Sequence, residues 1–137
     1  MALKELPCGA QLPVADLARA KRWYRDKLGL QPVDEDEHAI HYACGGSTFT
    51  LYPSAAAGTA EQTVLGWLTP DIEAEVPDLR ARGVRFESYD LPGLKTDENG
   101  IADIGPDRVA WFKDSEGNVL GIGQTGRERL ARAVGLA

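Results

Sequence analysis

Apolar residues alternate with small or polar residues over positions 9–14, which predicts a half-buried strand. The spacing then becomes helical over positions 16–28, where Asp16 is a suitable N-cap and Gly29 is a stop signal. One side of this predicted helix carries the apolar residues Leu17, Ala20, Tyr24 and Leu28.

A short edge strand is predicted over positions 31–34, followed by a hairpin whose strands cover 38–44 and 47–52. Gly45 and Gly46 supply the positive φ values of its tight turn. Residues 53–63 are rich in Ala, Ser, Gly and Thr and are predicted to be a linker.

The same order of elements begins again after the linker. Pro77 lies inside the second predicted helix, so that helix is expected to start late or to bend there. The predicted elements are a strand over 63–69, a helix over 71–82 closed by Gly83, a strand over 84–88, a long segment over 89–107, and a hairpin with strands 109–113 and 119–123.

Two motifs at opposite ends of the chain carry a family resemblance. Residues 16–30 read DLARAKRWYRDKLGL, and residues 114–118 form a polar DSEGN turn in which Gly and Asn tolerate positive φ and Asp caps its own backbone. Together they resemble the glyoxalase, bleomycin-resistance and extradiol-dioxygenase group, the vicinal oxygen chelate superfamily. The resemblance runs from Leu12 to Gln124 and identifies the scaffold far better than the reaction.

The resemblance implies an α+β fold in one domain over residues 1–137, with two βαβββ units over about 7–53 and 63–124 and a tail over 125–137. Two such units form a curled mixed sheet, a cup whose convex side is covered by helices. Alternation then places one set of side chains against the helices: Leu12, Phe49, Leu51, Leu65, Trp67, Leu120 and Ile122. It places the other set in the concavity: Gly9, Gln11, His41, Thr48, Thr50, Tyr52, Val64, Gly66, Val119 and Gly121.

Enzymes of the superfamily generally hold a divalent metal with His and Glu side chains of the concave face. The corresponding positions here are Gly9, Thr50, Val64 and Gly121. Glycine and valine have no side-chain donor, and a threonine hydroxyl alone is a poor ligand. We therefore expect no metal and no other cofactor.

The two histidines do not restore a metal site. His38 and His41 are three positions apart, so on a strand they point to opposite faces. His41 is instead predicted to be a hydrogen-bonding wall residue of the cavity. The acidic run over 34–37 is typical of an exposed loop.

Composition restricts the partners. The formal net charge of −6, from 21 acidic and 15 basic residues, disfavours nucleic acid. There is no apolar run of the ~20 residues that a membrane helix needs and no signal-peptide core at the N-terminus, so we expect a cytoplasmic protein. Cys8 and Cys44 both lie in predicted strands and are expected to be small buried hydrophobes rather than a disulfide.

These features favour a metal-independent protein that binds or sequesters an apolar or aromatic small molecule in the concave cavity. A metal-dependent lyase, isomerase or dioxygenase with unrecognised ligands is the alternative, and an interaction domain with a vestigial pocket is a third. Whether the protein is an enzyme stays open, as does which of Trp111 and Phe112 faces the cavity. The predicted ligand-binding residues are Gln11, His41, Thr50, Tyr52, Tyr89 and Trp111.

Two parts of the chain bear on how the cavity is closed. Residues 89–104 are predicted to be a lid or a subunit contact, with Leu91, Leu94 and Ile101 as an apolar inner surface. Residues 127–136 have an apolar stripe that is expected to dock on the same domain or on a neighbour. Because superfamily members generally close their cavities against a second subunit or a partner unit, the resemblance implies a homodimer.

Overall fold

A computed structural model describes residues 2–125 of the chain. After a short 3₁₀ helix at Leu3–Glu5, the first unit contains one helix and four strands. Its elements are β1 (Gly9–Val14), α1 (Leu17–Leu28), β2 (Asp34–Glu35), β3 (Ile40–Cys44) and β4 (Ser47–Pro53).

The second unit repeats this order and adds a small hairpin after its helix. Its elements are β5 (Thr63–Thr69), α2 (Ile72–Ala81), β6 (Asp90–Leu91), β7 (Leu94–Lys95), β8 (Ile101–Ile104), β9 (Asp107–Lys113) and β10 (Val119–Gln124).

The two main sheets have equivalent topologies. The first has the order β1-β4-β3-β2 and the second has the order β5-β10-β9-β8. In each, the first strand of the unit runs parallel to the last, and the remaining pairs are antiparallel. The predicted α+β fold with two βαβββ units and mixed sheets is therefore confirmed.

Local signals set the helix boundaries. The Asp16 side chain accepts a hydrogen bond from the Arg19 N–H at the start of α1, and Gly29 ends the helix at a φ of 71°. Asp71 caps α2 in the same way through the Ala74 N–H. The helix begins at Ile72 and continues through Pro77, so the expected late start was wrong.

Three other predictions need correction. The edge strand lies at Asp34–Glu35 rather than 31–34, where Asp34 pairs with His41 and Glu35 with Ile40. Residues 84–88 form a single bridge between Phe86 and Phe112 instead of a strand. Cys8 precedes β1 and is exposed, whereas Cys44 is half-buried at the end of β3; both are free thiols.

The core joins the two units. Phe112 of β9 stacks on Trp23 of α1 with ring centroids 6.4 Å apart, and Phe49 of β4 meets Trp67 of β5 edge to face at 6.2 Å. The residues predicted to face the helices do so, although Leu65 and Trp67 are only partly buried. Within residues 2–125, no helix has the length and apolar character needed to span a membrane.

Candidate functional site

Three of the predicted ligand-binding residues form one row across the first sheet. Strand register places Gln11 beside Thr50 and Thr50 beside His41. Their neighbours along the strands, Leu12 and Leu51, are fully buried on the opposite face. The row therefore lies on the face of the sheet that points away from the core.

The centre of this row is preorganised by a hydrogen bond. His41 Nδ1 lies 2.9 Å from Thr50 Oγ1, and Thr50 is only 9% exposed. The hydroxyl fixes the imidazole ring, and Nε2 of His41 has no partner among residues 2–125. Tyr52, two positions along β4 on the same face, is 36% exposed.

The remaining two predicted residues lie together on the second sheet. Phe112 is 1% exposed in the core, so its neighbour Trp111 points to the opposite face, which settles the orientation that the sequence left open. The Tyr89 ring packs edge-to-face on Trp111, with centroids 5.5 Å apart and planes at 81°.

Two glycines leave the surface beside Trp111 flat. Strand pairing places Gly121 next to Trp111 and Gly66 next to Gly121. A Cβ built on Gly121 would contact Cδ1 of Trp111 at 3.6 Å, so any side chain there would cover the indole edge. Gly121 is itself buried, and the same Cβ would lie 3.5 Å from Thr63 Cγ2, so the space beside the indole edge is narrow.

Backbone hydrogen bonds hold Tyr89 in place. The Tyr89 N–H donates to Thr96 Oγ1 at 2.9 Å, and the Thr96 N–H donates to the Tyr89 carbonyl at 3.0 Å. Burial, with a contribution from Glu87, raises the pKa of Tyr89, so its hydroxyl is neutral at physiological pH.

Residues 89–104 are not one continuous lid. The segment contains the hairpin β6–β7 and then β8, which is a strand of the second sheet. Ile101 is buried in the core below α2, while Leu91 is 57% exposed. Leu91 and Ile101 therefore do not form one apolar inner surface, because Ile101 lies in the core and Leu91 is exposed to solvent. Residues 127–136, the other predicted contact, lie outside the described part of the chain.

The positions that carry metal ligands elsewhere in the superfamily do not fit a metal. Gly9, Val64 and Gly121 provide no side-chain donor. At Gly9 there is also no room for a side chain, since a Cβ would fall 2.5 Å from Thr48 Oγ1 and 2.6 Å from the Thr48 carbonyl oxygen. Within residues 2–125, no group of three His, Cys, Asp or Glu side chains is placed so that it could hold a metal ion.

The DSEGN turn is a structural connection between the units. One carboxylate oxygen of Asp114 accepts the N–H groups of Glu116 and Asn118, at 2.8 and 2.9 Å, as a self-capping turn requires. Its other oxygen accepts the Tyr24 hydroxyl of α1 at 2.7 Å. The Asn118 side-chain amide donates to the Pro13 carbonyl at 2.9 Å.

Glu116 completes this connection at the N-terminus of α1. Its buried carboxylate accepts the N–H groups of Ala15 and Asp16, at 3.0 and 2.9 Å, and pairs with the Arg19 guanidinium at 2.8 Å. Burial alone would raise the pKa of Glu116, but hydrogen bonds from Arg19, Ser115 and Asp16 outweigh it and lower the pKa to about 2. Sequence reasoning recognised the two motifs as a pair but missed that they contact each other.

The sequence profile of the Glyoxalase/Bleomycin resistance protein/Dioxygenase superfamily matches residues 9–122. The chain belongs to this superfamily. A comparison of the sequence with curated proteins gave no match.

Solved structures of the superfamily have the same fold. A glyoxalase/bleomycin resistance protein/dioxygenase from Alicyclobacillus acidocaldarius is 16% identical with a TM-score of 0.67, covering 95% of this chain and 98% of its own. A bleomycin-binding protein complexed with bleomycin is 17% identical, with a TM-score of 0.63 and coverage of 88% and 99%. Lactoylglutathione lyase from Agrobacterium tumefaciens is 20% identical, with a TM-score of 0.60 and coverage of 87% and 92%. At these identities the likeness establishes the fold alone.

Proposed function

We propose that this superfamily member binds an apolar or aromatic small molecule without a metal, on the sheet faces that point away from the core. The observation that carries the proposal is the Tyr89–Trp111 pair beside Gly121 and Gly66. A half-buried indole packed against the Tyr89 ring suits a flat aromatic ligand, because aromatic rings attract one another in edge-to-face and offset stacked arrangements.

The polar row of the first sheet supplies orientation. His41 Nε2 and the exposed Gln11 amide can hydrogen-bond the heteroatoms of a ligand, while Thr50 holds the imidazole ring. A few polar groups on an otherwise apolar and aromatic surface are typical of small-molecule sites.

The donor set favours binding over metal chemistry. The solved structures with this fold include both a bleomycin-binding protein and a lactoylglutathione lyase, so the fold does not choose between the two classes. In this chain the superfamily's ligand positions hold Gly9, Thr50, Val64 and Gly121, which together offer one hydroxyl. One hydroxyl cannot hold a divalent ion in a catalytic geometry.

We also propose a homodimer in which a second copy closes the site. Gln11 is exposed, and Tyr52 and Leu68 are 36% and 50% exposed, so the single chain leaves these faces open to water. Apolar side chains left at the margin of a ligand site are suited to cover by another subunit.

The proposal is tested by titrating the full chain with proflavine and with bleomycin while tryptophan fluorescence is recorded. Trp111→Ala is expected to weaken binding roughly tenfold, since an aromatic pair contributes about 0.5–1.5 kcal/mol beyond its buried area. Trp111→Phe should retain most of the affinity. Trp23→Phe, which changes an indole on the core side of the same sheet, is the matched control and should leave binding unchanged.

Metal dependence is measured on protein purified without a histidine tag. We expect substoichiometric Zn, Ni, Mn and Fe. The affinities for proflavine and bleomycin should be the same with and without EDTA. Binding that is lost in EDTA and restored by one of these ions would instead establish the metal-dependent class. If neither probe binds, the interaction-domain hypothesis replaces the binding proposal.

A further inference from the structure

A cavity of about 400 Å³ lies on the helix side of the sheets. Its volume is in the range of small-molecule pockets, and of the residues named for the proposed site above only Leu68, at the margin of that site, also lines it. Both units contribute walls, from the end of α1, the end of β3, β5 and α2. The apolar wall residues include Leu28, Leu30, Trp67, Leu79, Phe112 and Ile122.

The charged groups at the rim are unequally paired. Asp78 of α2 and Arg82, which caps the C-terminus of that helix, form an ion pair at 3.6 Å. Glu75, which also lines the cavity and is half-buried, has no ion-pair partner among residues 2–125. The rim therefore presents one uncompensated negative charge next to apolar walls.

We infer that this cavity binds an apolar molecule carrying a single positive charge, such as an alkylammonium. The apolar body would lie against Trp67 and Phe112, and the cationic head would meet the carboxylate of Glu75. An anionic amphiphile of the same size would be repelled by Glu75 and would find Arg82 already paired. This site is independent of the proposed function on the opposite faces of the sheets.

Cys44 provides a direct measure of occupancy, since it lines the cavity and is half-buried, whereas Cys8 is exposed outside it. The full chain is treated with iodoacetamide in increasing octyltrimethylammonium, below the concentration at which that compound forms micelles. Alkylation of each cysteine is followed by peptide mass spectrometry. We expect a saturable, several-fold slowing at Cys44 and an unchanged rate at Cys8.

Charge recognition is tested with octanol and octyl sulfonate, which keep the chain and change the head group. We expect the order trimethylammonium, alcohol, sulfonate in decreasing affinity. Glu75→Gln should weaken octyltrimethylammonium binding roughly fivefold, the effect of one partly exposed ion pair, and should leave octanol unchanged. Glu98→Gln, which removes an exposed carboxylate that does not line the cavity, is the matched control.

Several outcomes would overturn the inference. These are equal protection of both cysteines, no protection of Cys44, or tighter binding of the sulfonate. Faster alkylation of Cys44 after deletion of residues 126–137, without any ligand present, would show that the chain itself occupies the cavity. Trp111→Ala should leave the protection of Cys44 intact, so failure of the proposed function and failure of this inference are distinguishable.

Discussion

Glu116 is a buried carboxylate whose charge is stabilised by the first unit of the fold. Its pKa is lowered to about 2 from an ordinary value of 4.5. A lowered carboxyl pKa contributes stability that is fully present above the unfolded value and is lost as the pH falls through the folded value. The connection between the units should therefore weaken in acid.

Glu116→Gln tests this dependence. At pH 7 the variant should lose about 1–3 kcal/mol of unfolding free energy, as expected for hydrogen bonds to a charged group. The difference from the parent protein should shrink between pH 4.5 and pH 2, where the parent carboxylate becomes protonated. Urea unfolding at several pH values measures it, with Glu98→Gln as control; a difference that did not change with pH would contradict the assignment.

Tyr24→Phe removes a single hydroxyl from the same connection. The Tyr24 hydroxyl donates to Asp114 at 2.7 Å, and both residues are buried, so the carboxylate loses a donor that water cannot easily replace. We expect a loss of about 1.5–3 kcal/mol in unfolding free energy. Tyr52→Phe, at a 36% exposed position, should change stability little in the same chemical denaturation experiment.

At the scale of single residues, the sequence predicted the roles of side chains whose partners are close in the chain. The capping roles of Asp16 and Asp114 follow from residue type and from neighbours a few positions away. The partners of Glu116 are about 100 positions away, so no local pattern reveals them. The sequence also did not show which of Trp111 and Phe112 faces the core, because two adjacent aromatic residues offer no alternation of apolar and polar positions.

At the scale of elements, the linker between the units packs on the DSEGN turn. Gly58 and Gly117 both have positive φ, at 74° and 87°, and their backbones meet closely. A Cβ on Gly58 would lie 2.8 Å from the Glu116 carbonyl oxygen, and one on Gly117 would lie 3.0 Å from the Gly58 Cα. The linker is therefore packed by close backbone contact, which its small-residue composition permits.

Gly58→Ala should lower the free energy of unfolding by more than the cost of placing alanine at a positive φ. The matched control is Gly93→Ala, because Gly93 has a φ of 78° and open space where its Cβ would be. We expect the control to lose about 1–2 kcal/mol from the left-handed conformation alone and Gly58→Ala to lose clearly more. Thermal or urea unfolding measures both, and equal losses would mean that the linker moves aside without cost.

The repeated order of elements was predictable because each strand and helix carries its own periodicity and stop signals. Strands 9–14 and 63–69 have the predicted boundaries. The segment over 89–107 was not resolved into its strands, since β6 and β7 have two residues each and are too short for alternation to show.

At the scale of the whole molecule, the oligomeric state decides how open the proposed site is. We expect a homodimer in light scattering at micromolar concentration. A Leu68→Asp change places a charge at a 50% exposed apolar position and should shift the equilibrium toward monomer without unfolding the chain. A monomer in the parent protein, unchanged after deletion of residues 126–137, would make a single-chain site the correct description.

The hydrogen bonds between α1 and the DSEGN turn also have a consequence for synthesis. With the bond from Asn118 to Pro13 of β1, they join positions 90–105 residues apart, so the first unit emerges from the ribosome long before its partners exist. Until residues 112–118 are translated, the Tyr24 hydroxyl lacks its acceptor and Trp23 lacks the ring of Phe112. A chain that stalls in the linker would leave this aromatic face uncovered, which marks it for chaperones and proteases. The first half of the chain thus completes its folding only when the last hairpin arrives.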